Sequence, residues 1–560
     1  MTTFRGPAAE TEEGIGALTL GGLLAETAGR HPEREALCFH EPDGSVLRWG
    51  YGRLEEEARR VARGLLAGGM AKGSRVALLM GNRPEWLAAA FGVALAGGVL
   101  VPLNTWFEPS ELDYVLGHCD ASVLLMQARL LGHGYLEQLT ALCPELEGGE
   151  GGRLRAGRWP WLRRVVCLGL HEQQGAAEPW ETLLAAGGAV REDLVDAAAA
   201  AVAPSDDAVV IYTSGTTARP KGVLHAHRPP ALQSWRFARL FGLDPEVRVW
   251  SAFPFFWTAG FAMVVGATVA AGGCLVLQEH FEPGEALRLL EAERVTTPYA
   301  WPHQTAQLED HPDWLGRDLS SLRHVDAFGP FGRHPSVAVG DEWSSRAAYG
   351  LTETFTIVSS LPADAPQAER EASQGPILPG NAVRILDPET GEPQPTGAPG
   401  EIAVKGPTLM RGYLKAVPED CFDDDGFFHS GDAGFVDADG RLHWTGRTSD
   451  LIKTGGANVS PVEIEEALLR HPGLKVAMAV GVPHPTLGEE VVVCAVAHDG
   501  VDVGEDDVRG FLRGRLAAYK IPRRVLFVAE AELSLTANAK VRAEALRELA
   551  AGRLGDTRRG

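Results

Sequence analysis

Apolar runs and amphipathic stretches take turns along much of the chain. Residues 17–75 read as helix, strand, turn, strand, helix, with apolar positions at helical spacing over 54–66. Residues 75–80 form a short unbroken apolar run, the mark of a buried strand, and 86–96 read as a helix. A strand over 100–103, a helix over 110–119 and a strand over 121–126 follow, and the alternation continues from 223 to 345. The least polar long stretch, 260–277, is broken by Gly266, Thr268, Gly272 and Gly273, so it reads as a buried helix then a strand rather than a membrane span. This repetition predicts an α/β fold built on a doubly wound parallel sheet. Residues 146–162 are Gly- and Arg-rich and predict an exposed loop, 198–203 an alanine-rich surface connector, and 363–374 a polar loop. Gly, Pro and Asp interrupt short β-type runs over 376–445, which suggests a small β subdomain. Past 446 the pattern restarts: helix 461–469, strands near 475–482 and 489–497, helix 505–516, strand 524–528. The expected organisation is a large N-terminal domain, 1–446, with its β subdomain at 376–446, and a C-terminal α+β domain, 447–560.

The densest chemistry follows the apolar run 208–211. Residues 212–222 read Tyr-Thr-Ser-Gly-Thr-Thr-Ala-Arg-Pro-Lys-Gly. Hydroxyls at Thr213, Ser214, Thr216 and Thr217 can donate to phosphate oxygens, Gly215 lets backbone N–H groups approach an anion, and Arg219 and Lys221 supply positive charge. The spacing is not that of a Walker A loop.

Charge sharpens this reading. Net charge is −22, which excludes a general nucleic-acid or anionic-membrane binder, so a phosphate ligand must be met by locally placed cations. The seven cysteines are scattered, with no C-x-x-C, which argues for a reducing compartment and against a zinc site. The first sixteen residues have no apolar stretch and the last five carry no lipidation or peroxisomal signal, so a cytoplasmic location is expected, with no further domain after Gly560.

Four further stretches carry candidate chemistry. Tyr349, Gly350, Thr352 and Glu353 set a hydroxyl beside a carboxylate, which suits a hard cation; a strand end capped by Thr352 reads equally well from the residues alone. Gly431-Asp432 offers a carboxylate that can accept two hydroxyls, or a plain turn. Residues 446–465 hold Arg447, Ser449, Lys453, Gly455, Gly456, Glu463 and Glu465 at a spacing that linker-then-helix does not account for. Residues 535–541 place Lys540 in a short polar loop. An aromatic-rich run, 254–260, supplies Trp257; together with Phe261, Trp301, His303 and Phe328 it forms either an acyl pocket or plain core.

In this order, these stretches resemble the signatures of the adenylate-forming superfamily: acyl-CoA synthetases, firefly-type luciferases and peptide-synthetase adenylation domains. The likeness runs from about residue 20 to 548. It implies an acyl-CoA ligase that activates a hydrophobic carboxylic acid with ATP as acyl-AMP and passes the acyl group to CoA. Thr213–Thr217, Lys221, Phe328, Gly329, Tyr349, Gly350, Asp432 and Arg447 would bind nucleotide. Glu353 would hold Mg²⁺ beside Thr352, and Lys540 would stabilise charge developing at the α-phosphate. Lys453, Gly455 and Gly456 would line a pantetheine tunnel, Ser449 would be the hinge of a mobile C-terminal domain, and Trp257, Phe261, Trp301 and His303 would line the acyl pocket.

The sequence departs from the pattern at four places. Ala218 follows the Thr pair where glycine is common, 327–330 reads Ala-Phe-Gly-Pro where Gly-Gly-Ala-Pro is usual, Ser449 replaces an Asp or Lys, and Ala539 precedes the lysine in place of Gly. Alternatives therefore stay open: a CoA ligase weak in adenylation that takes acyl-adenylate from a partner enzyme, an enzyme loading a carrier protein, a luciferase-like oxygenase, or a non-catalytic acyl-adenylate-binding protein. The metabolism served would be that of lipids or natural products.

Overall fold

The computed structural model describes all residues except Met1, 150–152, 214–219, 339–342, 346, 449, 455–456, 485–486, 514, 517–519, 534–542 and 558–560. Its contacts define two units. One comprises Arg5–Ala382 and Lys405–Phe428; the other comprises Met1–Phe4, Val383–Val404 and His429–Gly560.

The larger unit is built on two sheets. The first has eight strands in the order Ala177–Pro179, Arg164–Leu168, Val123–Gln127, Arg75–Leu79, Val99–Pro102, Asp207–Thr213, Lys221–Ala226, Gly412–Tyr413. The first six run parallel, and the last two are added antiparallel. The second has five strands, Thr297–Tyr299, Arg248–Ser251, Cys274–Leu277, Glu35–His40 and Val46–Gly50, parallel but for the last pairing. Such strands are buried on both faces, which is why Val76–Leu79 is one continuous apolar run rather than an alternation. Helix Pro84–Leu95 is buried at every position but Glu85, as a helix apolar all round must be. It anchors one core in which Leu87, Ala89 and Val93 meet Val76 and Leu78 of the first sheet and Leu37 and Leu275 of the second. All seven cysteines are free and buried. No helix among the described residues is long and apolar enough to cross a membrane.

Two stretches expected as connectors are partly helical. Residues 198–200 are the last turn of helix Glu192–Ala200, because alanine has the highest helix propensity and needs no partner to extend a helix. Within 363–374 lies a short helix, Gln367–Ala372, that buries no side chain and so leaves no apolar periodicity to read.

In the smaller unit one sheet joins Ala382–Leu386, Gly400–Lys405, Phe428–Val436 and Leu442–Arg447, with Phe4–Arg5 at one edge. The second orders Ala457–Val459, Ile452–Thr454, Gly488–Ala497 and Leu474–His484, and Arg524–Phe527 pairs parallel to Gly488–Ala497. Helices Pro461–Leu468 and Glu505–Leu512 bury Ile464, Leu468, Val508 and Leu512 in a core with Val491 and Val493. Contacts thus group the sheet of residues 382–447 with the C-terminal module, while 405–428 belongs to the larger unit.

Glu465 sits in that module with its Oε1 accepting the Ala479 N–H at 2.9 Å. Burial pushes its carboxyl up to about 7, and the nearby Asp450 and Glu466 charges add to the effect. A carboxyl raised on folding stabilises most below its unfolded value and loses that contribution as pH rises through the folded value. Stability should therefore fall between pH 5 and 8, by about 2–3 kcal/mol from this group. Glu465→Gln, which keeps the acceptor, should remove that slope, as measured by urea unfolding at the two pH values.

Candidate active site

The strand Asp207–Thr213 ends where the hydroxyl-rich loop begins. Ser214, Gly215, Thr216 and Thr217 lie outside the described residues. The chain returns as Lys221–Ala226, with Thr213 opposite Lys221 in antiparallel register. A third short strand closes the edge, setting Tyr413 opposite Val223 and Gly412 opposite Leu224. Gly412 has φ +139°, a backbone conformation that a side chain would strain. The Leu414 N–H donates to Gly222 O at 2.7 Å and the Arg411 N–H to Leu224 O at 2.8 Å, so the two segments are tied on both sides of the pair.

Tyr413 faces two candidate groups at once. The Lys221 Nζ stands 4.9 Å from the centre of its ring. Its hydroxyl donates to Glu353 Oε1 at 2.7 Å, and the Met410 N–H donates to the Glu353 carbonyl at 2.7 Å. Lys221 and Glu353, far apart in sequence, are therefore brought to one aromatic side chain, the lysine over its ring and the glutamate at its hydroxyl.

The Tyr349–Glu353 segment is held just as closely. Strands Ala348–Leu351 and Thr356–Ser360 form a hairpin. A Cβ on Gly350 would lie 1.7 Å from the Thr356 carbonyl, so only glycine fits there. Phe355 and Thr356 both have positive φ, +46° and +93°, which for a β-branched residue is strained and worth its cost only where the chain must turn sharply. The turn is over-determined from behind. The His225 ring N–H donates to Thr352 O at 2.8 Å, and Gln233 Nε2 donates to Thr354 O at 3.1 Å and Ile357 O at 2.7 Å. Burial holds the His225 ring neutral, with its pKa pushed down to about 3. Thr352 and Glu353 end half-buried. Among the described residues no Lys or Arg lies within salt-bridge distance of Glu353, and its Oε2 takes no hydrogen bond. A half-buried carboxylate with no cationic partner among the described residues fits a hard cation such as Mg²⁺.

Phe328 is 65% exposed, in a turn where its own N–H donates to Asp326 Oδ1 at 3.0 Å and the Gly329 N–H to Asp326 O at 3.0 Å. A bare ring at a fixed turn can stack on a base. Tyr349 is buried, opposite Ser359 in the hairpin. Trp257 lies edge-on to Trp106 at 5.2 Å and to Phe256 at 5.4 Å. Trp301 packs on Phe253 at 4.3 Å, and His303 occupies the first turn of helix Pro302–Glu309, half-buried. Asn82 ties this region together: its Nδ2 donates to Phe253 O at 2.9 Å, and its Oδ1 accepts the Phe255 N–H at 3.0 Å. Phe261 is 3% exposed and packs edge-on against Trp86 and Phe355, each at 5.7 Å. It lies on a π-helical segment, Ala259–Gly266, a form that concentrates at functional sites.

In the smaller unit, Asp432 and Arg447 are register partners, with Arg447 Nε 3.0 Å from Asp432 Oδ1. Asp432 is buried and Arg447 exposed. Gly431 has φ +69°, its N–H donates to Glu401 Oε1 at 2.9 Å, and the Ser430 hydroxyl donates to Ile402 O at 2.5 Å. Lys453 lies in strand Ile452–Thr454, though its side chain is outside the described set, as are Gly455, Gly456, Ser449 and Lys540.

Sequence reasoning passed over Tyr413, His225 and Gln233. Each sits in an ordinary apolar or mixed run, and its partner lies at least 60 residues away. Only Gly412 before Tyr413 hinted at a special conformation.

The pattern of AMP-binding enzymes matches residues 24–414, and that of the AMP-binding enzyme C-terminal domain matches 463–540. The chain belongs to the AMP-binding enzyme family. It is an adenylate-forming enzyme close to the acyl-CoA synthetases, and by class an ATP-dependent acid–thiol ligase. It is 31% identical to the putative acyl-CoA synthetase YngI of Bacillus subtilis, over 95% of this chain and 96% of that one. It is 34% identical to a feruloyl-CoA synthase of Amycolatopsis sp, over 89% of this chain and 94% of that protein. Among solved structures, ATP-bound MatB from Rhodopseudomonas palustris aligns with TM-score 0.73 at 28% identity, covering 95% of this chain and 99% of that one.

Gly350→Ala should weaken ATP binding more than tenfold, because the hairpin cannot close with a methyl group against the Thr356 carbonyl. Isothermal titration with ATP checks this, and circular dichroism should show the fold retained.

Proposed function

We propose that the protein joins a hydrophobic carboxylic acid to CoA in two steps, through an acyl-adenylate. The observation that supports this reading is that Lys221 and Glu353 both meet Tyr413, the lysine over its ring at 4.9 Å and the glutamate at its hydroxyl at 2.7 Å, a cation and a candidate cation ligand held at one side chain. In the first step the acid's carboxylate oxygen attacks the α-phosphorus of ATP and the bond to the β-phosphate oxygen breaks, releasing pyrophosphate. Lys221 and the hydroxyls of 213–217 would grip the phosphates, and Phe328 would stack on adenine. Asp432 would accept the ribose hydroxyls, with Arg447 beside it. Glu353 would hold Mg²⁺, which supplies countercharge to the phosphates when bound. Lys540 would neutralise charge developing between carboxylate and α-phosphate. Chemistry of this kind needs mostly placement and countercharge.

In the second step the CoA thiolate attacks the mixed anhydride and AMP leaves. The chain would turn near Ser449, with 447–560 moving as a domain, and Lys453, Gly455 and Gly456 would line the thiol's path. The aromatic groups around Trp257 and Trp301 favour a hydrophobic acid over an amino acid, since they offer no acidic partner for an amino group. Relatives named for feruloyl-CoA and medium-chain acyl-CoA formation are in keeping with that class. The setting would be lipid or natural-product metabolism in the cytoplasm.

Two departures keep a second reading alive. Ala218 and Ala539 stand where glycine gives freedom next to the phosphate loop and the adenylating lysine. An enzyme that thioesterifies a supplied acyl-adenylate better than it makes one would have this signature. A panel of aliphatic and aromatic acids with ATP, CoA and Mg²⁺, read by mass spectrometry for acyl-AMP and acyl-CoA separately, decides it. Both products should form with at least one hydrophobic acid. Acyl-CoA only from added acyl-adenylate would favour the second reading, transfer only to a carrier protein would change the acceptor, and binding without turnover would leave a non-catalytic protein. In the active case, Glu353→Gln and Lys221→Ala should each lower acyl-AMP formation about 100-fold.

A further inference from the structure

A site that uses a lysine for phosphate and a glutamate for a cation faces a physical difficulty. Opposite charges near each other collapse into an ion pair, and each then withholds from the ligand the charge it was placed to offer. In this structure Lys221 and Glu353 do not pair. Tyr413 stands at both: its ring lies under the Lys221 ammonium at 4.9 Å, and its hydroxyl donates to Glu353 Oε1 at 2.7 Å.

We propose that Tyr413 is a positioning residue that sets the affinity of Glu353 for the nucleotide-bound divalent cation while holding Lys221 apart from it. The inference rests on the function proposed above, and assigns a role to a residue outside the motifs from which that function was read. Three observations carry it. The backbone of Tyr413 is fixed, because Gly412–Tyr413 pairs with Val223 and Leu224 and the flanking N–H groups of Arg411 and Leu414 donate to Leu224 and Gly222. The ring is therefore anchored to the same strand that carries Lys221. The same segment reaches Glu353 a second time, through the Met410 N–H on its carbonyl. Finally, the donor to Glu353 is neutral. A phenol orients one carboxylate oxygen and leaves the negative charge in place, whereas a lysine or arginine there would cancel it. Groups that hydrogen-bond a ligating carboxylate in this way commonly change metal affinity by 10–100-fold when removed.

The ring and the hydroxyl make separable contributions, which gives the test. Calorimetric titration with α,β-methylene ATP, with and without Mg²⁺, measures binding with no reaction running. Tyr413→Phe keeps the ring and removes the hydroxyl. It should weaken the Mg²⁺ complex about tenfold and leave the Mg²⁺-free analogue within twofold of wild type. Tyr413→Leu removes both features: it should weaken the Mg²⁺-free form as well, because Lys221 loses its ring, and weaken the Mg²⁺ complex about tenfold more than that. Mn²⁺ in place of Mg²⁺, followed by electron paramagnetic resonance, should show the same tenfold loss for Tyr413→Phe in the ternary complex. The proposal is overturned if Tyr413→Phe binds both forms as wild type does, or loses both equally. If the wild type binds neither form, the reading of the function falls, and this one with it.

Discussion

A single phenolic hydrogen bond, from Tyr413 to Glu353, is the contact on which the larger unit's candidate site depends. The site must hold a positive and a negative group near one ligand without letting them neutralise each other. An aromatic side chain solves this, because its face attracts a cation and its hydroxyl donates to a carboxylate. The strand carrying Lys221 and the hairpin carrying Glu353 are thereby set against a common reference, the two-residue strand at the sheet edge.

The rest of the unit makes that reference rigid. The strand Asp207–Thr213, which leads into the hydroxyl-rich loop, lies inside an eight-stranded sheet, next to Val99–Pro102 and packed through Val209 and Ile211 into the large core. Loops at the carboxyl ends of such strands are where α/β sheets bind ligands. The strain at Phe355 and Thr356 is contained by bonds from His225 and Gln233, both fully buried, so the hairpin that presents Glu353 has little freedom to relax. A neutral His225 suits this role, since a charged ring in that pocket would carry an uncompensated desolvation cost.

Much of the fold was legible because buried parallel strands are continuous apolar runs: 75–79 and 208–211 stand out without any neighbour being known. The helices at 51–67 and 84–95 were legible from spacing in the first case and from uniform apolarity in the second. The short helix at 367–372 was not, because it has no buried face to impose a period. For the larger unit's candidate site, Lys221 and Glu353 stood out as candidates because hydroxyls, glycines and charges crowd around them within a few positions. Tyr413 could not. Its meaning lies in a contact across 60 residues, and a tyrosine after a glycine says nothing about which carboxylate it will meet. Nor does the sequence order suggest that residues 405–428 leave the β-rich stretch around them to join the larger unit.

The central claim is that three separated backbone segments answer to one bound nucleotide as a unit. Hydrogen exchange with and without Mg²⁺ and α,β-methylene ATP measures it directly. The account predicts that protection rises together at residues 222–224, 350–356 and 411–414, while the buried strand Val123–Gln127, three strands from Asp207–Thr213 in the sheet order, is unchanged. Protection rising at only one or two of the three segments would contradict it.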